Sequence, residues 1–118
     1  MNLKIKYRLW IEIDSKPLIG SGGLKLLQLI DKHRSIKAAS KEIGVSYAFA
    51  WRYIKKLEDV LNTPLVKRWR GGKEHGGAEL TELGREIVKI MNSLNEEISD
   101  IINKYENKLK TILKYNEL

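Results

Sequence analysis

Ala38-Ala39-Ser40-Lys41-Glu42-Ile43-Gly44-Val45-Ser46 is the stretch whose reading decides the fold. Two helices that cross closely need small side chains at their contact, and Ala38, Ala39 and Ser40 supply them. The turn between them needs a residue that tolerates a left-handed backbone, which is Gly44. Val45 fills the wedge between the helices, and Ser46 has the hydroxyl that caps the next one. Beyond Ser46, Ala50, Ile54, Leu57 and Leu61 recur at helical spacing and point at a core. The opposite face then presents Ala48, Trp51, Arg52, Lys55 and Asp59.

Upstream, Leu24, Leu27 and Ile30, with Leu26 and Leu29 beside them, make a helical stripe that ends near His33-Arg34. Ser35 can cap a short helix over 36–43, and the third helix runs from Ser46 to about Asn62, ahead of Pro64. At the N-terminal end, Leu3, Ile5, Tyr7, Leu9, Ile11 and Ile13 alternate with mostly polar residues, which predicts a strand over 3–13 with one buried face. Ser15-Lys16-Pro17 breaks that strand, and Gly20-Ser21-Gly22-Gly23 is a second break before the first helix. Downstream, Leu65 to Trp69 reads as a strand, Gly71 to Gly77 as a loop, and Ala78-Glu79-Leu80 as a short returning strand. Thr81 can then cap everything that follows. Strand, three helices, hairpin and helix is the order of a winged helix-turn-helix: mainly α with a small β-hairpin. The expected division is a domain over 1–81 and a long helix over 82–118.

Composition narrows the function. The chain has 118 residues, with 22 Lys plus Arg against 15 Asp plus Glu, for a net charge of +7. Residues 1–81 hold 16 basic and 8 acidic side chains, whereas 82–118 hold 6 and 7. The window Arg34 to Lys73 alone carries 10 basic and 3 acidic residues, the kind of block that faces nucleic acid. No apolar run approaches the ~20 residues that span a bilayer, so no membrane partner is expected. With no Cys and only His33 and His75, the sequence offers no disulfide, thiol catalyst or metal cluster. No nucleophile–base pair or paired carboxylate stands out. A non-enzymatic cytoplasmic protein without a cofactor is the expectation.

Each candidate contact follows from its chemistry. Arg52 can donate two hydrogen bonds to guanine O6 and N7 in a major groove. Ser46 and Tyr47, at the exposed start of the third helix, can bond a phosphate or a base edge, and Ala48 lies beside them. Lys55 and Lys56 suit phosphates, which position a protein without reading sequence. Trp51 has two possible places, against a neighbouring helix or on DNA; Phe49 and Tyr53 are expected in the core. In the hairpin, Lys67, Arg68 and Arg70 lead into Gly71, Gly72 and Lys73, a cationic wing suited to the sugar-phosphate backbone or the minor groove. A phosphate-binding loop competes for these glycines, but the Gly-x-x-x-x-Gly-Lys-Ser/Thr spacing is missing.

Val45-Ser46-Tyr47-Ala48-Phe49-Ala50-Trp51 and Arg70-Gly71-Gly72-Lys73-Glu74-His75-Gly76-Gly77-Ala78-Glu79-Leu80-Thr81, followed by Gly84, resemble the recognition helix and wing of the ModE family of molybdate-responsive transcription regulators. The Ala-Ala, Gly-Val-Ser and Lys-Leu-Glu elements are more distantly similar to LysR-type regulators. The likeness covers about Leu9 to Ile90. It implies operator binding and dimerisation. Members of that family carry C-terminal β-barrel domains for the oxyanion, and the residues after Gly84 have a helical pattern instead, so molybdate or tungstate binding by this chain is not expected.

The last segment repeats at eleven residues. Leu83, Ile87, Ile90 and Met91 recur as Leu94, Ile98, Ile101 and Ile102, and again as Tyr105, Leu109, Ile112 and Leu113. Eleven residues in three turns keep an apolar stripe nearly straight along a helix. At 1.5 Å per residue, ~33 residues run roughly 50 Å. Leu94, Ile98, Ile101, Ile102, Tyr105, Leu109 and Ile112 therefore read as a homodimer seam. Two linked recognition helices imply an inverted-repeat operator on double-stranded DNA. The competing function is an architectural nucleoid protein that binds DNA with little sequence preference.

Overall fold

The computed structural model describes residues 2–71 and 76–116. The elements run β1 (Ile11–Ile13), β2 (Lys16–Ile19), α1 (Ser21–His33), α2 (Ile36–Ile43), α3 (Tyr47–Leu61), β3 (Val66–Trp69), β4 (Gly77–Leu80) and α4 (Glu82–Asn116). Among the described residues β1 pairs only with β2 and β3 only with β4, both antiparallel. The result is a mainly helical winged-helix architecture with a long C-terminal helix.

The caps form where the sequence provides for them. Ser35 Oγ accepts from the Ala38 amide and Ser46 Oγ from the Phe49 amide, each at 3.0 Å. Gly44 closes α2 with φ 91° and ψ 28°, a left-handed geometry that costs glycine nothing. Thr81 Oγ1 accepts from Gly84 N at 3.2 Å and opens α4. Gly84 itself is forced by contact: a Cβ there would stand 2.6 Å from the Leu65 carbonyl oxygen.

The N-terminal strand is much shorter than its alternation predicts. Asp14 and Ser15 both have positive φ (52° and 66°) and form the two-residue turn, so Lys16 and Pro17 lie in β2 rather than in a break. β2 holds only four residues before Gly20, and Ile11 already pairs with Ile19. Among the described residues no returning strand is left to pair with residues 3–10. The register shift leaves Leu18 unpaired by the ladder, and its carbonyl takes the Tyr53 hydroxyl at 3.0 Å. α1 also begins earlier than its apolar stripe, at Ser21, so Gly22 and Gly23 are helical; a Cβ on Gly23 would strike the Tyr53 hydroxyl.

Two compact units emerge. Leu9–Val88 forms one, and Met1–Arg8 with Lys89–Leu118 forms the other. In the first, Leu24, Leu26, Leu27, Leu29 and Ile30 of α1 are buried with Ala39 of α2 and Ala50, Ile54 and Leu57 of α3. Leu65, Val66, Ala78 and Leu80 close this core from the hairpin. Burial of a side chain of this size contributes about 1.5–3 kcal/mol. Phe49 departs from expectation: at 51% exposure it is outside the core. The helical turn sends Ala50 inward, and Phe49, one residue earlier, lands on the flank with Val60, beside a shallow apolar depression floored by Leu26 and Val45. Tyr53, on the same side, is half-buried, and burial raises its phenol above the ordinary pKa.

In the second unit, Ile5 N donates to Glu106 Oε1 at 2.7 Å and Tyr7 Oη to Asn95 Oδ1 at 3.3 Å. Residues 3–8 thus lie along α4 through side-chain contacts instead of in a sheet. Among the described residues, no helix is long and apolar enough to cross a membrane.

A polar cluster ties the first unit together at Asp31. Its Oδ1 accepts from the Leu80 amide at 3.0 Å, and both carboxylate oxygens take Arg85, at 3.1 and 3.2 Å. Burial pushes the carboxyl upward, but hydrogen bonds from Arg85 and Leu80 and the charges of Arg85 and Arg34 outweigh it and hold the pKa below its ordinary 3.8. A depressed native pKa stabilises the fold above the unfolded value, and that contribution is lost as pH falls through the native one. Asp31→Asn should therefore lower Tm at pH 7, and its deficit against the parent should shrink on acidification below pH 3.8. Thermal melts followed by circular dichroism across that range check this; a deficit independent of pH would contradict it.

Candidate nucleic-acid interface

α3 is held from its buried side and at both ends, which leaves one face free. Ser46 caps the start, and Asn62 closes the end in a left-handed conformation with its amide on the Glu58 carbonyl. Tyr47, Ala48, Trp51 and Arg52 are exposed along the free face and Lys55 is half-buried there. Ser46 is exposed too, although one of its lone pairs already serves the cap. Lys56 is exposed, but its spacing places it on the flank shared with Phe49 and Val60.

Trp51 is 39% exposed, and two cations stand beside its ring. Lys55 Nζ of the same helix is 5.7 Å from the ring centroid, and Arg68 Cζ of β3 is 5.8 Å from it. These cation–π distances join the recognition helix to the wing through one indole. Arg68 also approaches Glu58 Oε1 at 3.7 Å. Trp51, Tyr47, Lys37, Arg68 and Arg70 line an open cleft of about 520 Å³ between the helices and the hairpin.

Strand alternation divides the wing cations. Arg68 shares its face of β3 with buried Val66 and looks to α3, whereas Lys67, paired with Glu79 across the ladder, looks the other way. Arg70 and Gly71 are exposed, and Gly71 has φ 84°. Gly72 and Lys73, also expected in the wing, lie outside the described residues, as does His75. His33 faces Glu42 at 3.3 Å, and among the described residues no three His, Cys, Asp or Glu side chains gather as a metal site.

The expected dimer seam divides in two. Leu94, Ile101, Tyr105, Leu109 and Ile112 are exposed on α4, together with Ile90, and Ile101 reaches 57%. Ile98 and Ile102 are half-buried, on the side that also carries buried Glu106. Sequence reasoning did not foresee that side as a seat for the segment around Ile5 and Tyr7. The pairing of an amide and a carboxylate 101 residues apart leaves no periodic signal.

Glu58 is a residue beside the site whose structural role sequence reasoning missed. Its Oε2 accepts from the amides of Leu65 and Val66 at 2.8 and 3.1 Å, clamping the start of the wing to the end of the recognition helix.

These elements define a winged-helix domain whose recognition helix and wing share one cationic surface. The family model described as bacterial regulatory helix-turn-helix protein, lysR family, matches residues 22–85. The chain belongs to that family. It is 30% identical over 105 residues to the molybdenum transport protein ModE of Azotobacter vinelandii, covering 89% of this chain and 39% of that protein. It is 31% identical over 86 residues to the DNA-binding transcriptional dual regulator ModE of Escherichia coli strain K12, covering 73% and 33%. The chain thus spans about two fifths or less of these relatives. Two solved structures share its fold at 22% identity. The CbnR DNA-binding domain in a DNA complex has a TM-score of 0.54, covering 72% of this chain and 92% of that one. Vibrio fischeri DarR in complex with DNA has a TM-score of 0.56, covering 79% and 30%. The likeness to ModE read from the recognition helix and wing holds, as does the likeness to LysR-type proteins read from the Ala-Ala, Gly-Val-Ser and Lys-Leu-Glu elements.

Removing Glu58 strands two buried amides, at about 1–3 kcal/mol each. Glu58→Ala should lower the denaturant midpoint by an amount equivalent to at least ~2 kcal/mol. Glu58→Gln should recover most of it, because one carbonyl oxygen can accept both bonds. Equal losses in the two variants would transfer the role to the charge facing Arg68.

Proposed function

We propose that this chain binds double-stranded DNA sequence-specifically, as the reading head of a homodimeric transcription regulator acting on an inverted repeat. The supporting observation is the bracketing of Trp51 by Lys55 and Arg68, which merges the exposed face of α3 and the wing into a single cationic concavity. A duplex seated there meets Arg52, Ser46, Tyr47 and Ala48 in its major groove. Phosphates flank them at Lys55, Lys56, Arg68 and Arg70, while Lys67, Gly71, Gly72 and Lys73 reach the backbone from the wing. CbnR and DarR, which share this fold, were both solved in complex with DNA, which supports a duplex as the ligand. In this assignment residues 1–81 read DNA and 82–118 join the copies. Binding by this chain needs neither molybdate nor tungstate.

The exposed α4 residues Leu94, Ile101, Tyr105, Leu109 and Ile112 fit a second copy of the same helix, with Ile98 and Ile102 supporting the seam from its edge. Two-fold pairing sets recognition helices for half-sites near 34 Å apart or a multiple of it.

Selection of bound fragments from genomic DNA should recover an inverted repeat, with the same result whether or not molybdate is added. Featureless enrichment would favour an architectural protein. On the recovered site, Arg52→Ala should cost about 1–3 kcal/mol of discrimination against a changed guanine; uniform weakening on every sequence would make Arg52 a phosphate contact.

The paired substitution Ile101→Glu with Ile112→Glu should convert a two-chain mass into a one-chain mass by light scattering. A dimer that persists would remove α4 as the interface.

A further inference from the structure

Arg34 is one cation of the basic window and stands at the end of the first helix; its side chain, 55% exposed, is nevertheless committed to partners within the protein. It ends α1 in a left-handed conformation, φ 55° and ψ 36°. Its carbonyl oxygen accepts the Ala78 amide of β4 at 3.0 Å. Its Nη1 donates to Glu79 Oε2, also on β4, at 3.0 Å. Its Cζ lies 5.3 Å from the centroid of Trp69, the last residue of β3. Arg34 therefore holds both strands of the wing, at the point where the hairpin gives way to Arg70 and the wing loop.

The rest of the site is built around that grip. Trp69 pairs with Gly77 across the ladder, and a Cβ on Gly77 would stand 2.5 Å from Trp69 Cζ2 and 3.0 Å from the Arg34 carbonyl oxygen. Only glycine lets the indole and the end of α1 close on the strand from both sides. Glu79 Oε2 also takes Arg85 Nη2 at 3.2 Å, and Arg85 reaches back to Asp31 of α1. The guanidinium of Arg34 thus gives one N–H to a carboxylate while its Cζ stands 5.3 Å from an indole centroid, two contacts spread over one rigid plane that the single point charge of a lysine ammonium does not make together.

We propose that Arg34 is a positioning residue for DNA binding: it sets the angle of the wing through Trp69 and Glu79 instead of contacting DNA itself. This rests on the DNA-binding function proposed above. Two roles are distinguishable, because a phosphate contact tolerates lysine and acts independently of other phosphate contacts, whereas a positioning residue does neither.

The test uses Arg34→Lys and Arg34→Asn, the latter chosen because asparagine accepts the left-handed backbone and keeps the end of α1. Affinity is measured on a random-sequence 40-base-pair duplex, alone and combined with Arg70→Ala. The Trp69 indole N–H resonance is followed without DNA. Positioning predicts that both Arg34 variants move that resonance and weaken binding alike, by about tenfold. Adding Arg70→Ala to either should then cost much less than it costs the parent, because contacts that share an element are not additive. Parent-like affinity for Arg34→Lys, with a weakened and additive Arg34→Asn, would make Arg34 a phosphate contact and overturn the proposal. An unmoved Trp69 resonance would also overturn it. A parent chain that binds the duplex while both variants bind equally well defeats only the role of Arg34; a parent chain that fails to bind defeats the DNA-binding function as well.

Discussion

A two-stranded hairpin is marginal on its own in water, and this constraint shapes the molecule. Among the described residues β3 and β4 have no third strand, so their stability comes from what they are tied to. The end of α1 supplies most of the ties. Asp31 takes the Leu80 amide, the Arg34 carbonyl takes the Ala78 amide, and the Arg34 side chain reaches Glu79 and Trp69. Glu58 fastens the other strand from α3, and the Thr81 amide returns to Leu65. A wing anchored at its root by two helices can present its cations at a defined angle to a third surface.

The recognition helix is rigid for a related reason. Ala50, Ile54 and Leu57 are fully buried along one side, and the ends are closed by Ser46 and Asn62. Tyr53 adds a hydrogen bond to the bulged Leu18 of β2, so the N-terminal hairpin braces the helix rather than extending a sheet. The free face has nowhere to turn except outward. Trp51 then converts two separate cationic elements into one by accepting Lys55 and Arg68 on its ring.

α4 illustrates how one apolar repeat can serve two surfaces. An eleven-residue period places Ile90, Leu94, Ile101, Tyr105 and Ile112 on an exposed stripe. Ile98 and Ile102 fall beside it, on the side of buried Glu106, whose carboxylate holds the Ile5 amide. Periodicity counts apolar positions but does not say which of them the same chain will cover.

Much of this fold was legible from residue order. The bounds of α2, the caps at Ser35 and Ser46, the turn at Gly44, the hairpin after Pro64 and the unbroken final helix all follow from local chemistry: a hydroxyl before a helix, a glycine at a left-handed position, a repeat without Gly or Pro. Several features were not. Residues 3–10 have a strand's alternation but no partner strand among the described residues, Phe49 has a core residue's chemistry but the wrong azimuth, and Arg34 has a DNA contact's charge but directs it at Glu79 and Trp69. Spacing within one helix or strand determined the elements, their caps and their apolar faces, because those interactions join residues three or four apart. Which strand found a partner, which cations stayed free and how the wing was anchored depended on bonds between residues 7 to 101 positions apart. No local pattern encodes such bonds, since they exist only once the elements have packed.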